Sequence, residues 1–209
     1  MGSTVGALLL SGLILLAVAG RKPEPLPVFG SVPEFSLTDS TGSRFGSEQL
    51  QGKICITDFI FTRCDGLCPL LTEEMARLQK TFASDSTVQL VSVSVDPEYD
   101  MPSVLAEFAR HNNVNTRSWH LLTGKRELIR KFMVDGCRIG MPEDPLLHSD
   151  RLVLWDAQLQ IRGYYPLSDP ESGTNLTRDV TRLLRENRIP RNSPTPKSTP
   201  SHARISSHE

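Results

Sequence analysis

Apolar and polar positions along the chain predict alternating strands and helices between residues 32 and 188. Two continuous runs of apolar and β-branched residues, 54–61 and 88–95, are typical of buried strands. Between them, Leu71, Met75, Leu78 and Phe82 recur at spacings that place them on one face of a helix. The same reasoning predicts helices around 104–108, 128–133 and 176–184, and shorter strands at 35–37, 119–122, 151–155 and 159–165. Strands that alternate with helices, and then a hairpin and a last helix, indicate an α/β domain of three layers.

The two ends of the chain differ from this domain in composition. Residues 1–21 form a hydrophobic segment whose apolar part, 5–19, is short for a membrane span of about 20 residues. Two interpretations stay open, an N-terminal anchor or a signal peptide with a cleavage site at the small residues 17–19. Arg21 and Lys22 follow the segment and no basic residue precedes it, which by charge alone favours a cytoplasmic C-terminal side.

We predict a proline-rich linker at 22–31, the folded domain at 32–188 and a polar tail at 189–209. Prolines at 23, 25 and 27 favour an extended, semi-rigid linker. Beyond residue 188, prolines and serines predominate, and such a composition cannot build a core, so we expect the tail to be disordered.

Charge and cysteine content exclude two classes of protein. The formal net charge is −1 and no basic face is visible, so nucleic acid is not an expected partner. Four cysteines are too few for a disulfide-stapled fold of 209 residues. Cys55, inside an apolar strand, and Cys137 are expected to be buried structural thiols.

The remaining two cysteines, Cys64 and Cys68, lie four residues apart where a buried strand turns into a helix. Helix N-termini lower the pKa of nearby thiols, and the thiolate attacks disulfides and binds metals. Cysteines at i and i+4 can bring both sulfurs to one side, where they can form a disulfide or hold one ion. A Cys-x3-Cys at a strand–helix junction fits a thioredoxin-like fold, with a central mixed sheet flanked by helices.

Two thiolates and one histidine would suit copper better than structural zinc, which takes four protein ligands. Of the five histidines, His148 is the strongest candidate, since it follows a loop and begins a strand, a position that ligating groups favour. His111 ends a predicted helix, and His120 lies in a short strand, so both are interpreted as structural or solvated. His202 and His208 lie in the tail.

Three motifs resemble the SCO/SenC family of thioredoxin-like copper proteins. They are the stretch from Asp58 to Leu70 with both cysteines, the stretch from Val93 to Glu98, and the stretch from His148 to Leu154; residues 161–165 are similar too. The resemblance implies a copper site made of Cys64, Cys68 and His148. The family's nearby acidic residue corresponds to Asp96, which either tunes a ligand from the second coordination sphere or forms the turn before Pro97.

The resemblance also implies a function, namely a metallochaperone that helps to assemble the dinuclear copper site of cytochrome c oxidase. The expected partners are the oxidase subunit that carries this copper, or another copper chaperone, and a membrane through residues 1–21. The domain would then lie on the extracytoplasmic side. The alternative is a thiol–disulfide oxidoreductase, in which one of the two cysteines attacks a partner disulfide and the other resolves it.

Overall fold

The structure is a computed structural model that describes residues 24–139 and 150–188. The predicted anchor at 1–21, the predicted tail and His148 lie outside the described residues. Within these two ranges, eight strands form one mixed sheet in the order β1-β8-β7-β4-β5-β6-β2-β3. The strands are β1 (Gly30–Ser31), β2 (Ser36–Asp39), β3 (Arg44–Gly46), β4 (Ile54–Ile60), β5 (Val88–Ser94), β6 (Trp119–Thr123), β7 (Arg151–Trp155) and β8 (Gln160–Pro166).

In the part of the chain that the structure describes, five α-helices and one π-helical turn cover the two faces of this sheet. They are α1 (Ser47–Leu50), α2 (Cys68–Thr81), α3 (Pro102–His111), α4 (Arg126–Lys131), the π-helix Phe132–Gly136 and α5 (Ser172–Arg188). Buried residues of α2, α3 and α5 share one hydrophobic cluster. Those of α1, α4 and the π-helix share the other. The mixed α/β architecture predicted from the sequence is therefore confirmed.

Strand β4 is central, and it sets the position of the cysteine motif. It pairs in parallel with β5 and antiparallel with β7, so it has neighbours on both sides. Its side chains alternate between the two clusters, because successive residues of a strand point to opposite faces. Cys55 and Phe59 belong to one cluster, whereas Ile56 and Ile60 belong to the other.

The sequence did not predict three small elements. One of them, the two-residue strand β1, lies inside the segment that we assigned to the linker and pairs with β8. The others are the single-turn helix α1 and the π-helix. Residues of the predicted linker before β1 also contact the domain, because Arg162 donates hydrogen bonds to the backbone oxygens of Leu26 and Pro27 at 2.6 and 3.0 Å. The proposed boundary at residue 32 therefore stays a prediction, and one that these contacts do not favour.

Across residues 24–139 and 150–188, no helix combines the length and the apolar character that a membrane crossing requires.

Candidate metal centre

The cysteine motif lies at the edge of the sheet where the parallel strands β4 and β5 end. β4 ends at Ile60, and a short loop then leads through Cys64 to Cys68, the first residue of α2. A turn in this loop is closed by the backbone N–H of Cys64, which donates to the carbonyl of Phe61 at 3.2 Å. Pro69 occupies the first turn of α2, where the missing N–H costs nothing because it would have no partner within the helix.

The Cys64 thiol lies in surroundings that favour its thiolate. Partial burial raises the pKa of Cys64, but hydrogen bonds from the Cys68 side chain and from the N–H groups of Cys68, Gly66 and Leu67 lower it more in sum. The net result is a pKa below the ordinary value, as expected where backbone N–H groups converge on a sulfur. Cys64 is therefore the more reactive member of the pair.

The Cys68 thiol lies in surroundings that favour its protonated form. Burial raises the pKa of Cys68 to about 12, and the hydrogen bond to Cys64 and the charges of Cys64 and Asp58 contribute to this rise. Asp58 points to the same face of β4 as Ile56 and Ile60, and its carboxyl group is completely buried, which raises its pKa to about 7. Hydrogen bonds from the Ser92 side chain and from the Asp58 backbone act in the opposite direction, but they offset only part of the effect of burial.

Both sulfurs line a shallow cleft of about 240 Å³ at the protein surface. Phe61 and Phe108 contribute to its walls, and Leu67 and Leu70 are exposed in and beside the cysteine loop. Because the cleft is open, a ligand held by the sulfurs would be accessible to a partner protein.

Asp96, the acidic residue singled out from the sequence, reaches the residue that precedes Cys64. Its carboxylate accepts a hydrogen bond from the Arg63 guanidinium at 2.7 Å. The same guanidinium lies over the ring of Tyr99 at 3.9 Å from its centroid, a cation–π contact. The backbone oxygen of Asp96 accepts from the N–H groups of Tyr99 and Asp100, so Asp96 also opens a turn. Its role toward a bound metal stays a prediction.

Asp100 is a residue near this site that the sequence analysis missed. It is fully buried and accepts three hydrogen bonds, from the Thr62 backbone N–H at 3.0 Å and from the hydroxyl groups of Thr62 and Ser94, each at 2.5 Å. The strand topology could have pointed to Asp100. Parallel neighbouring strands end at the same edge of a sheet, so polar residues that follow β4 and β5 are expected to lie close together.

Of the cysteines and described histidines considered from the sequence, only Cys64 and Cys68 lie at this site. Cys64 and Cys68 come together, as expected from their spacing. Cys55 and Cys137 are fully buried free thiols. His120 is partly buried, accepts or donates a hydrogen bond at 2.8 Å with Gln89, and packs on Phe45, which agrees with a structural role. His111 is exposed beside Glu107 at the end of α3.

The donor set can be compared with the metal that the resemblance implies. Within the described ranges, no group of three or more His, Cys, Asp or Glu side chains could hold an ion. Two sulfurs, one of them with a lowered pKa, fit a soft ion such as Cu(I) that accepts few ligands. They do not fit structural zinc, which would require four protein donors. The residues present therefore fit copper if one further ligand joins them.

Comparison with known proteins places the chain in a family. Residues 27–185 match the family model SCO1/SenC. A curated relative, a SCO1 protein homolog of Bacillus subtilis, is 35% identical over 148 residues, which cover 68% of this chain and 76% of the relative.

Solved structures that share the fold include three Sco family proteins at 25% identity or more. A SCO1/SenC family lipoprotein from Bacillus anthracis is 33% identical, with a TM-score of 0.65, and the match covers 74% of this chain and 95% of that one. BsSco, described as a Sco family member with a disulfide switch and as belonging to the cytochrome c oxidase assembly proteins, is 27% identical, with a TM-score of 0.65 and coverages of 77% and 98%. Arabidopsis thaliana ScoI with copper bound is 25% identical, with a TM-score of 0.60 and coverages of 74% and 98%. The chain thus carries the fold and the paired cysteines predicted from its sequence, and it belongs to the SCO1/SenC family.

Proposed function

We propose that this protein binds copper through Cys64, Cys68 and His148 and delivers it to the copper site of a cytochrome c oxidase. The observation that carries this proposal is the pair of adjacent sulfurs at an open edge of the sheet, with the pKa of Cys64 lowered. Family membership supports it, as do the copper-bound relative and the relative described among oxidase assembly proteins.

Chain connectivity supports His148 as the third ligand. β7 runs antiparallel to β4, so the start of β7 at Arg151 lies at the same edge of the sheet as the end of β4. His148 precedes Arg151 by three residues, and three residues span at most about 11 Å. A chain of this length allows a ligand at position 148 to reach the edge at which the cysteines lie, which supports the choice of His148 over the other histidines.

In this function the chain's own groups do three things. Cys64 supplies a thiolate whose negative charge is already stabilised by three backbone N–H groups. Cys68 gives up its proton as the metal is bound, because a metal ligand must be deprotonated, so binding releases protons. The open cleft then lets sulfur donors of a partner replace these ligands one at a time, and copper moves by ligand exchange. The exposed Leu67 and Leu70 offer apolar contact area to that partner.

A second candidate is a thiol–disulfide oxidoreductase, and the unequal pKa values of the two thiols favour it. A reactive Cys64 suits the attack on a partner disulfide, and a protonated, more buried Cys68 suits the later resolving step. The disulfide switch described for BsSco supports a redox role for this pair. The two functions use the same sulfurs and differ in their need for His148.

An anaerobic copper titration of the reduced protein against a competing chelator tests the proposal. We expect one tightly bound copper per chain, and we expect His148→Ala to weaken binding by about 10-fold or more because it removes one of three ligands. His111→Ala, which changes an exposed histidine on α3, is the matched control and should bind as the wild type does.

Equal copper affinity in His148→Ala and wild type would remove His148 from the site. Weak binding by the wild-type protein would favour thiol–disulfide exchange, and that chemistry predicts that His148→Ala still forms the Cys64–Cys68 disulfide.

We propose a membrane-anchored or exported protein whose domain works on the extracytoplasmic side. The hydrophobic N-terminal segment supports attachment or export, and membership of the family supports the side, against the charges that flank the segment. The B. anthracis relative, a lipoprotein, supports attachment to a membrane or export. Protease accessibility of the domain in intact cells, compared with lysed cells, distinguishes the two sides.

A further inference from the structure

A closed ring of polar groups lies between the cysteine loop and the loop that follows β5. Asp100 accepts from Thr62 and Ser94, the Ser94 hydroxyl accepts from the Asp96 N–H at 3.1 Å, and Asp96 accepts from Arg63, the next residue after Thr62. We call Thr62, Arg63, Ser94, Asp96 and Asp100 the Asp100 ring. Thr62 and Arg63 immediately precede Cys64, yet none of the five is needed as a metal ligand or as a thiol.

Within the Asp100 ring, we expect the hydrogen bonds of Asp100 to contribute the most free energy. The Arg63–Asp96 ion pair is exposed, with Arg63 57% and Asp96 25% accessible, and such pairs contribute little. Asp100 is fully buried, and its two oxygens take up three donors. Removal of this carboxylate takes away the fixed partner of both the Thr62 N–H and the Thr62 hydroxyl, and a mobile water molecule at these part-buried donors would not hold the loop in one place.

We propose that Asp100 is a positioning residue that fixes the Thr62 peptide and thereby holds Cys64 within reach of Cys68. Cys68 is fixed by α2, whereas Cys64 lies in a loop, so the distance between the sulfurs depends on what anchors that loop. Asp100 anchors it two residues before Cys64, through both the backbone and the side chain of Thr62. The inference rests on the proposed function only in taking the Cys64–Cys68 pair as the reactive site.

Anchoring affects the chemistry through effective concentration. Two thiols held close together form a disulfide more readily than two thiols whose separation fluctuates. When the pair reacts with glutathione disulfide, one protein disulfide forms and two glutathione thiols are released, so the equilibrium constant reports how well the sulfurs are held. If Asp100 anchors the loop, its loss shifts this equilibrium toward the dithiol.

The experiment measures that equilibrium in Asp100→Asn and in a matched control, Asp156→Asn. An amide has a single oxygen and cannot accept all three hydrogen bonds that Asp100 accepts. Asp156 is also buried and also accepts several hydrogen bonds, from Arg162 and from two backbone N–H groups. Asp156 directly follows Trp155, which pairs with Cys55 in β4. Cys55 lies about 17 Å along β4 from Ile60, the end of the strand that leads to Cys64 and Cys68.

We expect Asp100→Asn to shift the equilibrium toward the dithiol by about 10-fold. We expect the equilibrium of Asp156→Asn to stay within about two-fold of wild type, even if the two variants lower the melting temperature equally. A shift in Asp100→Asn that is no larger than in the control, or one toward the disulfide, overturns the proposal.

Substitutions of Thr62 provide a second test that leaves Asp100 in place. Thr62→Ser keeps both donors and should retain the wild-type equilibrium, whereas Thr62→Val loses the hydroxyl and should shift it in the same direction as Asp100→Asn. Equal equilibria in Thr62→Val and Thr62→Ser would mean that the side-chain anchor has no effect on the pair. Because this measurement needs no copper, its outcome is independent of whether the proposed copper function holds.

Discussion

Cys64 and Cys68 are four residues apart and yet differ strongly in acidity. Both lie near the N-terminus of α2, a position that favours thiolates. Cys64 lies before the helix, where three backbone N–H groups reach its sulfur, and the pKa of Cys64 falls. Cys68 is a helical residue packed into the core, where burial outweighs the helix and raises its pKa. The sequence predicted the first effect, but it could not predict how deeply the second sulfur is buried.

This difference predicts the order of alkylation in the reduced protein. At pH 7.5 we expect iodoacetamide to modify Cys64 well before Cys68, because only the thiolate reacts. The rate at Cys64 should rise with pH and reach half of its maximum below pH 9.0, the ordinary thiol pKa. Peptide mapping by mass spectrometry after timed quenching measures both rates.

The fully buried Cys137 serves as an internal control in the alkylation experiment and should stay unmodified while the protein is folded. Modification of Cys64 and Cys68 at equal rates would contradict the assignment of Cys64 as the reactive thiol.

At the scale of elements, hydrophobic periodicity was sufficient to predict the principal strands and helices. Leu71, Met75 and Leu78 do form the buried face of α2, and the run at 54–61 is the central strand β4. The partners of Asp100 were not predictable, because Thr62 is 38 residues away in sequence and periodicity carries no information about such tertiary pairs. Strand β1 was missed for the same reason, since two residues without a pattern are held there by β8.

Asp58 is the one carboxyl group in β4, and it should make stability depend on pH. Burial raises its pKa from 3.8 in the unfolded chain to about 7 in the folded protein. The folded state therefore binds more protons between these values, so stability falls as pH rises through this window. About three pKa units correspond to about 4 kcal/mol at most.

We therefore expect Asp58→Asn to be more stable than wild type at pH 8, by up to about 4 kcal/mol, and to lose that advantage near pH 4. Urea unfolding of both proteins at several pH values measures the difference, in which the contributions of other titrating groups cancel. Asp135→Asn, at an exposed position, is the control and should show no such trend. If the difference in free energy of unfolding between Asp58→Asn and wild type were the same at pH 4 and pH 8, it would contradict a raised pKa for Asp58.

At the scale of the whole molecule, the chain before β2 is part of the domain's packing. Leu26 packs against one hydrophobic cluster, and the ring of Phe29 lies 5.5 Å from that of Tyr164. Arg162 is only 8% exposed, and its guanidinium is shared between Asp156 and the backbone oxygens of Leu26 and Pro27. Residues 26–31 thus cover β8, which would otherwise be an edge strand of the sheet.

A truncation tests whether these contacts stabilise the domain. We expect a chain that begins at residue 32 to melt about 10 °C below one that begins at residue 24, since the loss of several hydrogen bonds and of buried apolar area amounts to a few kcal/mol. A chain of the longer length in which Gly and Ser replace residues 26–31 should melt like the truncated one, because length alone does not supply these contacts. Calorimetry measures all three. Equal melting temperatures would mean that residues 26–31 act only as a spacer between the domain and the N-terminal segment, as the proline pattern alone had predicted.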